Sequence, residues 1–209
     1  MTQPKTPKTV YWLDKTLYLN ITNKCSNDCY FCLKRYRTGV GGFNLKLQNE
    51  PTVTQVTDEL SEVLHSRVWD GLVFCGFGEP TARLDVLLTI AKWVKTNYGR
   101  ALQIRLDTNG QGALLNPDRD VATELKTAGV DAVNVSLNAA DKDTYNEICK
   151  PTYPDSYEAV LDFICKAKSI LDVEVTAVRL PEVDLAKVSA LAKSLGVSFR
   201  VREYIPCFF

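Results

Sequence analysis

The stretch Leu19-Asn20-Ile21-Thr22-Asn23-Lys24-Cys25-Ser26-Asn27-Asp28-Cys29-Tyr30-Phe31-Cys32 joins an apolar strand-like run to three cysteines in one short loop. The C-x3-C-x2-C spacing offers three thiolates. An iron–sulfur cubane takes four ligands, so a three-thiolate set leaves one iron open to something the protein does not supply. Cys25, Cys29 and Cys32 are therefore the candidate metal ligands and the candidate catalytic centre.

Nothing in the rest of the composition competes with that reading. The 209 residues suffice for one domain with its own core. Lys+Arg 25 balances Asp+Glu 25, which removes any general drive toward nucleic acid or an anionic membrane. Lys34, Arg35 and Arg37 form a local basic patch after the cysteine loop, read equally as a solvated loop or as substrate steering. The polar N-terminus lacks an apolar signal core, and no apolar run is long enough to span a bilayer. The expectation is a cytoplasmic protein with no membrane partner. Seven unevenly spaced cysteines read as metal ligands plus core thiols rather than a disulfide framework.

Outward from the cysteine loop, apolar runs alternate with helical periodicity. Strands are predicted at Thr16–Thr22, Leu72–Gly76, Leu102–Asp107, Ala132–Leu137, Val173–Val178 and Val197–Tyr204, mostly apolar on both faces as buried parallel strands are. Val56, Leu60, Val63 and Leu64 share one helix face running to about Val68, and Leu84, Leu87, Leu88, Ala91 and Val94 share the next. Asn116 before Pro117 reads as an N-cap for a helix that Gly129 closes. Asp155 with Glu158 reads as a capping box, and Gly196 ends the last helix. Lys150 to Pro154 splits one crossover into two helical pieces, as a structural turn. Repeated β–α units with right-handed crossovers give an α/β fold, a partial (β/α)6 barrel of parallel strands. Residues 1–12 are expected to be a flexible segment and residues 13–209 the core domain.

Ligands in such folds gather at the C-terminal ends of the strands, and every unusual motif falls there. The cysteine loop follows the first strand, Cys75-Gly76-Phe77-Gly78-Glu79-Pro80 the second and Asp107-Thr108-Asn109-Gly110 the third. Ser136-Leu137-Asn138 ends the fourth, Val178-Arg179 the fifth and Arg202-Glu203-Tyr204 the sixth. Gly76 and Gly78 permit close approach of backbone to a ligand. The Glu79 carboxylate suits an ammonium group, and Asn109-Gly110 is also a plain turn.

Together these runs resemble the radical S-adenosylmethionine (SAM) superfamily: the cysteine triplet with Phe31 before its last member, Gly76 to Pro80, and Thr108 to Gly110. More narrowly, Leu19 to Asn23, Gly76 to Thr81, Asp107 to Gly112 and Val135 to Ala139 look like the small radical proteins associated with TatD-type nucleases. The resemblance implies a [4Fe–4S] cluster on Cys25, Cys29 and Cys32, with SAM filling the open iron and yielding a 5′-deoxyadenosyl radical. It implies that Gly76, Phe77, Gly78 and Glu79 line the methionine moiety with help from Thr108 and Asn109. Ser136 and Asn138 would meet the ribose, Phe31 the adenine, and the backbone around Tyr204 the adenine edge. An electron donor of flavodoxin or ferredoxin type is implied as a partner, with a homodimer left open.

The family core usually carries a helix after the sixth strand, whereas here the sequence stops at Tyr204-Ile205-Pro206-Cys207-Phe208-Phe209. The open mouth suggests a macromolecular substrate, or an apolar tail that folds over it. Alternatives are a 7-carboxy-7-deazaguanine synthase-like enzyme, an activator that makes a glycyl radical, and a zinc module in which Cys207 supplies a fourth thiolate. Cys149 and Cys165 are expected to be buried packing residues. Cys75 is either a strand residue or a thiol beside the radical, and His65 lies on a polar helix face. Arg179 is read equally as a substrate ligand and as an ion-pair partner.

Overall fold

The computed structural model describes residues 6–99 and 101–205. Its main sheet has seven strands in the order β1-β2-β5-β6-β7-β8-β9. These are β1 (Val10–Leu13), β2 (Thr16–Leu19), β5 (Gly71–Phe74), β6 (Ile104–Thr108), β7 (Ala132–Ser136), β8 (Asp172–Val178) and β9 (Ser198–Arg202). From β2 to β9 every pairing is parallel. The crossovers carry α1 (Val53–Leu64), α2 (Leu84–Tyr98), α3 (Gly112–Leu115), α4 (Val121–Ala128), α5 (Lys142–Cys149), α6 (Ser156–Ala167) and α7 (Leu185–Leu195). All six expected parallel strands form, and the architecture is the expected α/β partial barrel.

Four readings are corrected. Val10–Leu13 is not flexible: it pairs antiparallel with β2 and buries Val10 and Tyr11. Asn116 does not cap α4. Asp120 does, accepting from Thr123 N, while Asn116 donates to the carbonyls of Thr81 and Gly112. Asp155 makes no side-chain cap, because Glu158 pairs instead with Lys142. Cys165 is exposed, whereas Cys149 is buried. Gly129 and Gly196 do close their helices with positive φ, as read from the sequence.

The strands are not apolar on both faces. Leu72, Phe74, Ile104, Leu106, Val133, Val135, Val173 and Val175 point outward into the helix layer and form the core. The opposite face carries Arg105, Asp107, Asn134, Ser136, Glu174, Thr176, Arg200 and Arg202, since alternate residues share a face. The barrel lumen is therefore polar. A cavity of about 390 Å³ opens there against Arg105, Asn134, Glu174 and Arg200.

A short hairpin joins the first crossover, β3 (Gly39–Val40) with β4 (Phe43–Asn44). Gly41 and Gly42 both take positive φ, as a two-residue hairpin turn demands. Leu45, just after it, packs with Tyr11 and Phe77 in a small second core. Among the described residues no helix is long and apolar enough to cross a membrane. Pro206 to Phe209, and with them the apolar tail and Cys207, lie outside the described residues.

Candidate active site

The cysteine loop spans from the end of β2 to a 3-10 turn at Leu33–Arg35, and its backbone is pinned from several sides. Asp28 N donates to the Cys149 carbonyl (3.0 Å), Tyr30 N to Ile148 O (3.3 Å) and Thr152 N to Ser26 O (2.8 Å). The C-terminal end of α5 and the Lys150 to Pro154 turn thus serve as the platform for the loop. A buried triad closes the joint: Gln111 Nε2 donates to Asn27 Oδ1 (2.7 Å) and Tyr145 Oη (2.9 Å), and Asn27 Nδ2 donates to the same phenol (3.2 Å). The three side chains bond to one another in a closed ring, which favours one geometry for the joint, although Gln111 Oε1 has no partner among the described residues. Arg35 adds bonds to the carbonyls of Cys29 and Asp28 and an ion pair to the Asp28 carboxylate.

The glycine run packs against the same loop. A Cβ on Gly76 would stand 2.1 Å from Asn20 Oδ1, and one on Gly78 would stand 2.5 Å from the carbonyl oxygens of Thr22 and Lys24. The space these glycines leave is filled by the chain itself, which brings the loop after β5 against the entry to the cysteine loop. Glu79 N then donates to Lys24 O at 2.7 Å. Gly78→Ala is expected to cost about 1–3 kcal/mol, the range for overpacking a tight site, and to lower iron uptake; denaturant titration with iron analysis checks both.

Glu79 is 2% exposed and knits three strand ends together. Oε1 accepts from Thr81 N (3.0 Å), Thr81 Oγ1 (2.7 Å) and Thr108 Oγ1 (2.8 Å), while Oε2 accepts only from Asn109 N (2.6 Å). Acceptor capacity is therefore concentrated on Oε2. Burial pushes the carboxyl upward despite these bonds. Asn109 passes the connection on, donating to Ser26 Oγ (2.8 Å) and lying 3.9 Å from Cys25 Sγ.

The three thiols feel one another electrostatically, and burial raises all of them. Cys25 is pushed up to about 12 by burial, with the Glu79 carboxylate next in effect. Cys29 is raised by a side-chain contact with Cys149 and by burial. Among the described residues no three Cys, His, Asp or Glu side chains are closed up around a common metal position; the Cys29 thiol turns to Cys149 instead. Burial and the nearby carboxylate disfavour the thiolate form that a metal ligand must adopt, so metal binding here would have to release protons and supply the compensating charge.

The remaining sequence-predicted residues are distributed around this loop. Ser136 Oγ and Asn138 Oδ1 both accept from Arg202 Nη2 at 3.2 Å, and Asn138 holds a positive φ. Phe31 sits edge-on to Tyr30, with centroids 5.6 Å apart. Phe77 is buried in the small core with Tyr11, so its backbone, not its ring, borders the site. Tyr204 packs on the main core at the end of β9. Arg179 is an ion-pair residue, with Nε 3.1 Å from both oxygens of Glu203. Cys75 stands beside Asp107 at the end of the neighbouring strand, and burial and that carboxylate raise its thiol. His65 lies against Tyr98 on the outside.

Sequence reading missed Asn27, Gln111 and Tyr145 as site supports. Their partners are 34 to 118 residues apart, and no local pattern marks such pairs.

A parallel half-barrel that gathers thiols, a buried carboxylate and paired amides at its strand ends defines a cofactor-dependent α/β enzyme. The chain belongs to the Radical SAM superfamily, whose family model matches residues 19–195. It is similar to a probable GTP 3′,8-cyclase of Saccharolobus solfataricus, 29% identical over 189 residues that make up 87% of this chain and 54% of that protein. The chain thus spans about half the length of such relatives. Its fold is shared with Streptococcus suis SuiB bound to S-adenosylmethionine (TM-score 0.68, 15% identity, 91% of this chain and 40% of that one). It is shared also with TYW1 carrying a lysine-pyruvate adduct (TM-score 0.64, 15% identity, 92% and 65%).

The cofactors of this superfamily are a [4Fe–4S] cluster and SAM. The donor set suits them: three soft sulfur ligands in one pinned loop, and a buried carboxylate with spare acceptor capacity on one oxygen.

Proposed function

We propose that Cys25, Cys29 and Cys32 hold the [4Fe–4S] cluster and that the chain cleaves SAM reductively to abstract hydrogen from a substrate. The observation that carries this is the cysteine loop itself: three thiols on a backbone fastened to α5, to the Gln111–Tyr145 pair and to the glycine run. When bound, the cofactors supply the electron transfer and the 5′-deoxyadenosyl radical. The chain's own residues supply position. The loop after β5 offers backbone from Gly76 to Gly78 along the methionine moiety, and Glu79 Oε2 is the acceptor for its ammonium. Thr108 and Asn109 hold that carboxylate in place. Ser136 and Asn138 stand at the ribose position, Phe31 and the Tyr204 backbone at the adenine. A one-electron donor of flavodoxin or ferredoxin type is the expected partner.

Anaerobic reconstitution with iron and sulfide, followed by dithionite and SAM, tests the reading. The expected result is a brown protein that forms 5′-deoxyadenosine. A colourless protein that binds zinc and forms none would favour the structural-zinc alternative. GTP belongs among the first substrates to try, because relatives named probable GTP 3′,8-cyclases match 87% of the chain.

A further inference from the structure

The lumen of the barrel carries three inward arginines, and their charges are not equally matched. Arg105 Nε donates to Asp107 Oδ1 at 2.8 Å, and Arg200 Nε donates to Glu174 Oε1 at 2.7 Å. The Asn134 amide oxygen, in the orientation that satisfies its neighbours, accepts from Arg200 Nη2 (3.1 Å) and Arg105 Nε (3.3 Å). Each of these two arginines is paired with a carboxylate near the base of the lumen.

Arg202, at the C-terminal end of β9, has no carboxylate within ion-pair distance among the described residues. Its Nη2 is anchored by the neutral oxygens of Ser136 and Asn138, both at 3.2 Å. Its Nε–H is buried and has no hydrogen-bond partner among the described residues. A buried orphan donor on a cation is costly, and native structures rarely keep one without a use. The Asp107 carboxylate, the Cys75 and Cys29 thiols and the Arg200 guanidinium all stand near this side chain, which sets it beside the cysteine loop.

We propose that Arg202 is the anion receptor of the active site, and that the substrate carries an oxyanion, a carboxylate or a phosphate, bound at this guanidinium. The planar fork of arginine recognises both groups through parallel N–H donors. Ser136 and Asn138 hold the fork still, so little rotamer entropy is lost on binding. In the site read above, Ser136 and Asn138 border the ribose, so an oxyanion held at Arg202 keeps the substrate beside the carbon that carries the radical. The assignment of this anion to the substrate rests on the radical SAM reading of the site.

The test follows the Arg202 Nε–H signal in the full chain labelled with nitrogen-15 arginine, before and after cluster reconstitution. Sodium acetate and inorganic phosphate are titrated at constant ionic strength against sodium chloride, and the signal is identified by its loss in Arg202→Lys. The expected result is a saturable downfield shift with acetate or phosphate and none with chloride. Calorimetric titration of the same anions into each chain, which does not need the arginine signal, should show binding about tenfold or more weaker in Arg202→Gln than in wild type, as for loss of a charge-assisted pair, with Arg202→Lys between the two. The stronger of the two anions names the group. No shift, or equal binding by Arg202→Gln in a chain that unfolds like wild type, would overturn the proposal. A shift caused by SAM alone that leaves no further response to either anion would assign the site to the cofactor's carboxylate, and would overturn it too. Formation of 5′-deoxyadenosine by wild type with Arg202 silent would defeat this inference alone. A titrating Arg202 in a chain that never forms 5′-deoxyadenosine would defeat the radical reading, and with it the description of the anion as the substrate's.

Discussion

Cys29→Ala is expected to fold, to lose iron and to form no 5′-deoxyadenosine above background. A direct ligand should cost more than the tenfold to about a hundredfold loss typical of groups behind the ligands. The fold should survive because the loop is held by backbone bonds that the substitution leaves alone: Asp28 to Cys149, Tyr30 to Ile148, and Cys32 N to the Cys29 carbonyl. Truncating one half-buried thiol should change stability by no more than about 1 kcal/mol. The informative control is Cys149→Ala. Cys149 is buried and its thiol contacts that of Cys29, so it is the fourth sulfur that could compete for a metal. If the triplet alone holds the cluster, Cys149→Ala should load iron and cleave SAM like wild type. Iron analysis and product chromatography on the two variants decide. Iron retained by Cys29→Ala and lost by Cys149→Ala would sink the ligand assignment.

That control shows where sequence reasoning reached its limit. The cysteine triplet, the glycine run and the ends of the strands are local patterns, and a local pattern can be read in one dimension. The six parallel strands were legible because their outward residues, such as Leu72, Phe74, Val133 and Val135, are an unbroken apolar signal. The inward residues were harder. Arg105, Asp107, Asn134, Arg200 and Arg202 alternate with that signal, and alternation in short strands looks like strand-end irregularity rather than a polar lumen. The strand β1 was hidden for a different reason. Val10–Leu13 is too short to stand out, and it is ordered by pairing with β2 and by Tyr11 packing on Phe77 and Leu45. The glycines were read correctly as places of close approach, but what approaches is the protein: Asn20 and the Thr22 to Lys24 backbone. Long-range partners such as Asn27 with Tyr145 leave no mark in the sequence at all.

Glu79→Ala is expected to be the most destabilising single truncation at the site, by about 3–5 kcal/mol, since it leaves several buried donors without an acceptor at about 1–3 kcal/mol each. Four donors converge on this carboxylate, two of them the backbone N–H groups of Thr81 and Asn109, which cannot rotate away to other acceptors. The hydroxyls of Thr81 and Thr108 supply the rest. Glu79→Gln keeps one oxygen but turns an amide donor toward a donor, so it should lose less, about 1–3 kcal/mol. The pH dependence carries a sign that separates this role from an ordinary surface carboxylate. Burial raises Glu79 in the folded chain, so between the ordinary glutamate value and the raised one the folded state holds the proton that the unfolded state releases. Stability contributed by Glu79 must then fall as pH rises through that window, and is fully present below it. The margin of wild type over Glu79→Gln should therefore be widest in acid and should narrow toward neutral pH. Urea denaturation of both chains across that range measures it. A margin that widens with pH, or an alanine variant that loses under about 1 kcal/mol, would mean that Glu79 is not the clasp of the site. If the clasp is as described, the alanine variant should also fail to load iron, because Asn109 connects Glu79 to Ser26 and Cys25. Loss of the carboxylate would then release the cysteine loop from the strand ends that position it.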